Sequence, residues 1–192
     1  EYGMDFYIED DNGYTLVPYR IGHFTEQGMQ FHVSELIENE VKQIHIRMQS
    51  DKEMKCKRLG LRLGIDTYMD TYPDWDNKYF PTALRCEKKG FWSCFMSPLG
   101  EIISVCSPSQ IVSWKNEYAR AGIDVGHRIY TSSLDFINTY KNPQRHPESR
   151  EILDANPIEI ELYFTCPKTE KDMYEFIEKY AHIHVPVVSK FT

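Results

Sequence analysis

Two stretches of the chain alternate apolar and polar side chains with a period of two. In Val41–Met48, Ile44, Ile46 and Met48 fall on one face and Gln43, His45 and Arg47 on the other. In the run from Leu59 to Met69, Leu59, Leu61, Leu63 and Ile65 point one way, and Gly60, Arg62 and Gly64 point the other. Successive side chains of an extended strand leave on opposite sides, so each stretch reads as a strand with one buried face. A sheet with one apolar face needs a second layer against it. Glycines on the outer row of the second stretch mark a place where another backbone or a ligand comes close.

The same signal recurs along the chain. Asp5–Glu9 and Tyr14–Tyr19 flank Asp10–Gly13, whose Asn-Gly pair predicts a hairpin with both turn residues at positive φ. Phe31–Ile37 leads into a turn at Asn39 and Glu40. Thr82–Glu87, Gly90–Met96, Glu101–Ser107, Ile111–Tyr118, Arg128–Ile137 and Ile158–Cys166 complete the strands, with Pro98–Gly100 as a turn. One helix is predicted over Glu170–Ala181. Thr169 and Asp172 resemble a capping box, and Met173, Phe176, Ile177, Tyr180 and Ala181 recur at helical spacing. Many short strands with turn signals about ten residues apart predict an all-β antiparallel sandwich with one short C-terminal helix. Residues 1–192 read as a single domain, with 168–192 as the helix and an extended linker to a further domain.

With 192 residues the chain can bury a core without staples. Its formal net charge of -7 argues against nucleic acid as a partner, because phosphate binding needs clustered Lys and Arg. The basic run from Lys52 to Arg62 is interrupted and reads as a solvated turn entering a strand. No segment approaches the roughly 20 apolar residues of a membrane span. The five cysteines, Cys56, Cys86, Cys94, Cys106 and Cys166, have no zinc-like spacing, and their odd number rules out a fully paired framework. Three of them, Cys86, Cys94 and Cys106, sit in apolar segments as small hydrophobes. No phosphate loop, HExxH motif or nucleophile elbow is present, and no cofactor is implied. The start Glu1-Tyr2-Gly3 and the extended, apolar end Val187–Thr192 lead us to expect a piece of a longer polypeptide. If so, apolar surface should lie uncovered around Phe176–Phe191.

Candidate ligand-contacting residues gather between Tyr72 and Arg145, where all three tryptophans lie. Trp75, between Asp74 and Asp76 and close to Tyr72, combines an indole that stacks on a sugar face with carboxylates that reach hydroxyls. Asp70, Asp74, Asp76 and Asn77 are oxygen donors close in sequence, but they lack the spacing, turn glycine and closing glutamate of an EF-hand, and no metal is assigned. Trp92 reads as a core residue. His127 and Arg128, with Arg145 and His146, supply the basic side, since guanidinium forks bind carboxylates. Arg128 has Asp124 and Asp135 as structural partners in the alternative reading. Asp74, Asp76, Glu87 and Asp135 are carboxylates of the kind that glycoside hydrolysis pairs in a cleft, but nothing in the sequence brings two together, and no catalytic residue is assigned.

Tyr72–Asp76, the run Glu87–Gly100 with Phe91, Trp92 and Met96–Gly100, Gly126–Tyr130 and Arg145–Pro147 resemble a β-sandwich domain of large polysaccharide-degrading enzymes of Bacteroidetes type. The resemblance covers Leu59–Thr192. It implies a galactose-mutarotase-like supersandwich that precedes an (α/α) toroid, with the helix and the exit Val185–Thr192 similar to the linker into it. In that family the catalytic residues lie mainly in the toroid, so none is carried over here. The implied role is a non-catalytic domain of a glycoside hydrolase or polysaccharide lyase, periplasmic or secreted. Its partner is a glycan or a neighbouring catalytic domain. The alternatives are a stand-alone carbohydrate-binding module with Trp75 as its platform, and a mutarotase- or lyase-like enzyme using His127 or His146 with a carboxylate.

Overall fold

The computed structural model describes residues 3–66, 80–87, 90–96, 101–109, 111, 113–120, 128–140 and 152–184. These hold β1 (Met4–Asp10), β2 (Gly13–Pro18), β3 (Gly22–Glu26), β4 (Met29–Glu38), β5 (Val41–Gln49), β6 (Met54–Lys55) and β7 (Arg58–Asp66). They continue with β8 (Phe80–Glu87), β9 (Gly90–Met96), β10 (Ile102–Ser107), β11 (Ser113–Arg120), β12 (Arg128–Asn138), β13 (Ile152–Leu153), β14 (Ile158–Thr165) and α1 (Glu170–Ala181). Five strands form one sheet in the order β11-β12-β7-β1-β2. Seven form the other in the order β3-β4-β5-β14-β10-β9-β8, and β13 pairs with β6. Every pairing is antiparallel. The fold is an all-β sandwich with one helix, as the alternation predicts.

The two apolar rows meet in the main core. Leu59, Leu61 and Leu63 of β7 join Phe6 and Ile8 of β1 from one sheet; Ile44, Ile46 and Met48 of β5 join Phe31 and Val33 of β4 from the other. Phe6, Phe24 and Phe31 close one end, with ring centroids 4.8 Å apart for Phe6–Phe31 and 4.9 Å for Phe24–Phe31. A second core lies on the opposite face of the seven-stranded sheet. There α1 sets Met173, Phe176, Ile177 and Ala181 against Trp92, Cys94, Ile102 and Cys106. Trp92 is buried as expected, but it lies under the helix while its neighbour Phe91 faces the main core. Burial pushes the Cys106 thiol well above its usual range, in keeping with a packing role.

The hairpins follow local chemistry. The β1–β2 turn falls at Asp11 and Asn12, one residue earlier than an Asn-Gly turn would place it. The Asp10 carboxylate sets it by accepting from the Asn12 N–H at 2.7 Å and the Gly13 N–H at 3.1 Å, and Gly13 opens β2 at φ 132. Asn39 and Glu40 turn the chain at φ 51 and 63, as predicted. Strand β3 is not foreseen in the sequence, because none of its residues is fully buried and so it lacks an apolar row. Its turn to β4, Gln27 and Gly28 at φ 52 and 75, has the same two-residue geometry.

Helix α1 begins where predicted. Thr169 Oγ1 accepts from the Asp172 N–H at 3.1 Å, and the Thr169 hydroxyl donates to Asp172 Oδ2 at 2.7 Å. His182 ends it in the left-handed conformation, its N–H reaching the Glu178 carbonyl. Thr169→Ala is expected to lower the unfolding free energy by about 1 kcal/mol, read as a shift in the urea midpoint; an unchanged midpoint would show that the cap contributes nothing in solution. The outward face of α1 carries Lys171, Glu175, Glu178 and Lys179. The uncovered apolar surface expected around Phe176–Phe191 is therefore not found over residues 176–184. Among the described residues the large exposed apolar side chains lie elsewhere: Tyr14 and Leu16 on β2, Ile21 just before β3, Leu36 and Ile37 near the β4–β5 turn, and Tyr140.

Candidate functional site

The outer face of the five-stranded sheet carries the most developed polar cluster among the described residues. Register sets it up. Tyr7 of β1 sits opposite Gly60 of β7, and Gly60 sits opposite Asp135 of β12. A side chain at position 60 would collide with what lies there: an added Cβ would be 2.2 Å from both the Leu134 carbonyl oxygen and Tyr7 Oη. The absent side chain lets the Tyr7 phenol cross its neighbour strand and donate to Asp135 Oδ1 at 2.6 Å. At Gly60 the close approach expected of an outer glycine is made by the chain's own Leu134 backbone carbonyl and Tyr7 phenol.

A β-bulge completes the cluster. The β12–β7 register slips between Asp135 and Ile137. Residues 135 and 138 would face opposite sides of a regular strand; the slip puts both on the outer side, Asp135 opposite Gly60 and Asn138 opposite Arg58. Asn138 Nδ2 donates to Asp135 Oδ2 at 2.8 Å. Arg58 Nη2 and Nε donate to Asp135 Oδ1 at 2.9 and 3.3 Å. The carboxylate is only 4% exposed, so these donors hold its charge where water does not.

The electrostatics make this a scaffold. Burial first, then the Asp135 charge and hydrogen bond, hold the Tyr7 hydroxyl protonated far above the usual tyrosine range. Tyr7 is therefore a permanent donor and no general base. Burial works against the Arg58 charge, but Asp135 outweighs it and the guanidinium stays protonated. Above this floor lie exposed groups. The Tyr14 ring stacks on Tyr7 with centroids 5.8 Å apart and planes at 19°, and is 51% exposed. The Tyr140 hydroxyl donates to Glu9 Oε1 at 2.6 Å, and Arg58 Nη1 lies 3.8 Å from Glu9 Oε2. That hydrogen bond to Glu9 also raises the Tyr140 hydroxyl above the ordinary tyrosine range. Two exposed phenol rings around a carboxylate and a guanidinium can stack on a flat apolar surface and hydrogen-bond its polar rim.

In the basic run from Lys52 to Arg62, four of the five cations, Lys55, Lys57, Arg58 and Arg62, are matched by acids. Lys57 and Lys55 reach Asp11 at 3.0 and 3.8 Å, and Arg62 reaches Asp5 at 2.8 Å. Arg58 is the departure from a solvated turn, since it binds the buried Asp135.

Of the residues singled out in the sequence, Tyr72, Asp74, Trp75, Asp76, His127, Arg145 and His146 lie outside the described residues. Arg128 opens β12 with its backbone opposite Arg120. Asp135, offered above both as a catalytic carboxylate and as a partner of Arg128, is held by Tyr7, Arg58 and Asn138. Tyr14, Glu9, Arg58 and Tyr140 were not anticipated. The one signal for them was the β1–β2 hairpin, whose register places Glu9 opposite Tyr14. Among the described residues no three His, Cys, Asp or Glu side chains converge to hold a metal ion, and no helix is long and apolar enough to cross a membrane.

The fold is similar to part of a polysaccharide lyase. The match is to a solved structure from Bacteroides, at a TM-score of 0.57 and 10% sequence identity. It takes in 92% of this chain and 27% of that one, so the chain spans about a quarter of the lyase's length. At that identity the likeness is one of fold. No family model matches the sequence. No curated protein matches it significantly.

Proposed function

We propose that the chain is a non-catalytic β-sandwich domain of an exported carbohydrate-active enzyme, a polysaccharide lyase or glycoside hydrolase, which packs on or lines the cleft of a catalytic domain. The observation that carries this reading is the extent of the fold match: nearly the whole chain superposes on about a quarter of a polysaccharide lyase. The outer face of the five-stranded sheet supports it. Tyr14 and Tyr140 supply exposed rings for sugar C–H faces, and Glu9 and Arg58 supply hydrogen bonds for hydroxyls. The loop carrying Tyr72, Asp74, Trp75 and Asp76, with His127, Arg128, Arg145 and His146, is proposed as a second set of glycan contacts. No acid–base pair on the described surface favours a stand-alone enzyme. Tyr7 and Asp135 are locked in a buried network, and the His184–Glu178 pair, 3.6 Å apart, is exposed at the end of α1.

The test is retention of the chain on a panel of acidic and neutral polysaccharides, with ultraviolet detection of unsaturated products. The chain is expected to bind without releasing product. Tyr14→Ala is expected to weaken binding about ten-fold, as loss of an aromatic contact worth ~1–1.5 kcal/mol predicts, and to lower the melting temperature by only about 2–4 °C through its lost stack on Tyr7. Trp75→Ala is the parallel test of the second set. Product formed by the chain alone would overturn the non-catalytic role. Equal losses of binding and stability in Tyr14→Ala would move Tyr14 from the ligand to the fold.

A further inference from the structure

The outer face of the seven-stranded sheet is divided. Helix α1 covers the half over β9 and β10. The half over β3, β4 and β5 carries three of the chain's seven histidines. His23 of β3 is paired in register with His32 of β4, which is paired with Arg47 of β5. His45, two residues before Arg47, lies on the same face, opposite Ser34. The His23 and His32 rings stack with centroids 3.8 Å apart and planes at 18°.

Two imidazoles stacked so closely pack well while at most one is charged; with both protonated they repel across the stack. His45 and Arg47 add positive charge on the next strand. Partial burial first, then His23, His45 and Arg47, hold His32 below the usual imidazole range. The neighbouring strand β14 carries the acids: Glu159 reaches Arg47 at 3.4 Å, and Glu161, opposite His45, accepts from the Tyr163 hydroxyl at 3.1 Å. The face is thus graded, basic at the β3 edge and acidic at β14. At one end of the same row Gln30, two residues before His32, donates to the Asp51 carboxylate at 2.6 Å, and among the described residues no ion pair ties His23 or His32 to an acid. The sign of the linkage follows. The folded value of His32 lies below the unfolded one, so its contribution to stability is complete above the unfolded imidazole range and is lost as pH falls from that range through the folded value. An anion seated over the stack would reverse that loss.

We propose that the open face of β3, β4 and β5 is a proton-dependent oxyanion site, in which His23, His32 and His45, flanked by Arg47, take a carboxylate or sulfate group. Arg47 is already held by Glu159 and Glu161 faces His45, so the site gains net positive charge only as its imidazoles take up protons. It is separate from the Tyr14 face and lies on the other sheet, so it stands or falls without the glycan reading.

The full chain is titrated by NMR of its histidine ring protons in inorganic sulfate, and in chloride at matched ionic strength. His182 and His184, at the end of α1, serve as internal controls for general screening. Sulfate is expected to raise the transitions of His23 and His32 but not those of His182 and His184. It should bind about ten-fold more tightly near pH 5.5 than near pH 7.5, the range over which imidazole changes charge. His23→Gln, at an exposed position, is expected to abolish the selective shift with the fold intact, and Arg47→Gln to reduce it. A second arm replaces sulfate with a uronate or sulfated oligosaccharide and its neutral counterpart. Binding of the acidic sugar but not the neutral one supports the site with a saccharide source for the oxyanion; binding of sulfate alone supports it with a free anion as ligand. Equal shifts at all these histidines, equal effects of sulfate and chloride, or an unchanged response in His23→Gln would overturn the proposal.

Discussion

Replacing Asp135 with alanine is expected to cost about 3 kcal/mol of unfolding free energy, the lower end of what breaking a buried ion pair costs. The carboxylate is almost fully enclosed, and among the described residues Tyr7, Arg58 and Asn138 donate to it. Its removal takes the acceptor from the buried Tyr7 phenol and one acceptor from Asn138, and leaves Arg58 with the more distant Glu9, 3.8 Å away. The lower end of the range applies because the Arg58 side chain is 25% exposed and can turn toward water. The urea midpoint measures the loss. The double variant Asp135→Ala, Arg58→Met is expected to recover part of it by removing the half-buried charge that Asp135 balanced. A loss below about 1 kcal/mol in the single variant is what a solvent-exposed pair would give, and would mean that the network is hydrated.

Gly60→Ala is the second large effect. An added methyl would have to displace the Leu134 carbonyl oxygen and the Tyr7 phenol, each 2.2 Å from where its carbon would sit. The carbonyl belongs to the β12–β7 ladder and the phenol is tied to Asp135, so neither yields cheaply. The expected loss is about 3 kcal/mol, the upper part of the usual range for overpacking. For a domain of this size it amounts to a fall in melting temperature of roughly 6–12 °C. Adding Tyr7→Ala is expected to relieve only part of the clash, because the carbonyl remains. A melting temperature within about 2 °C of the parent would falsify the close approach of the three strands at Gly60.

Both effects arise at a place the sequence marked without explaining. The glycines opposite Leu59, Leu61 and Leu63 signalled a close neighbour, but not its identity. Tyr7 lies 53 positions from Gly60 and 128 from Asp135. Only the order β12-β7-β1 brings them into one row. The bulge at Asp135 is equally silent in sequence, since it depends on β12 pairing against β7, and without it Asn138 would face the core side. Arg58 reads as one of several basic residues in a polar run until the fold gives it a buried partner.

The layered fold was more legible. Period-two rows such as Ile44, Ile46 and Met48 become buried whatever the strand order, because one face of each strand must leave water. The Thr169 cap and the helical repeat of Met173, Phe176 and Ile177 act within a few residues, so their reading needs no tertiary information. The same locality explains the turn at Asn39 and Glu40. It explains the missed strand β3 as well, because an edge strand with polar residues outward and half-buried ones inward has no local pattern of its own.

The sequence by itself determined the class of fold, most strand positions, the helix and its cap. Each of these rests on side-chain alternation or on contacts between near neighbours. Tertiary structure alone decided which strands adjoin. It thereby decided that Tyr7 crosses Gly60 to Asp135, that Trp92 lies under α1, and that three histidines share one open face. Those outcomes depend on hydrogen-bonded pairing between segments far apart in the chain, and no local pattern encodes the partner.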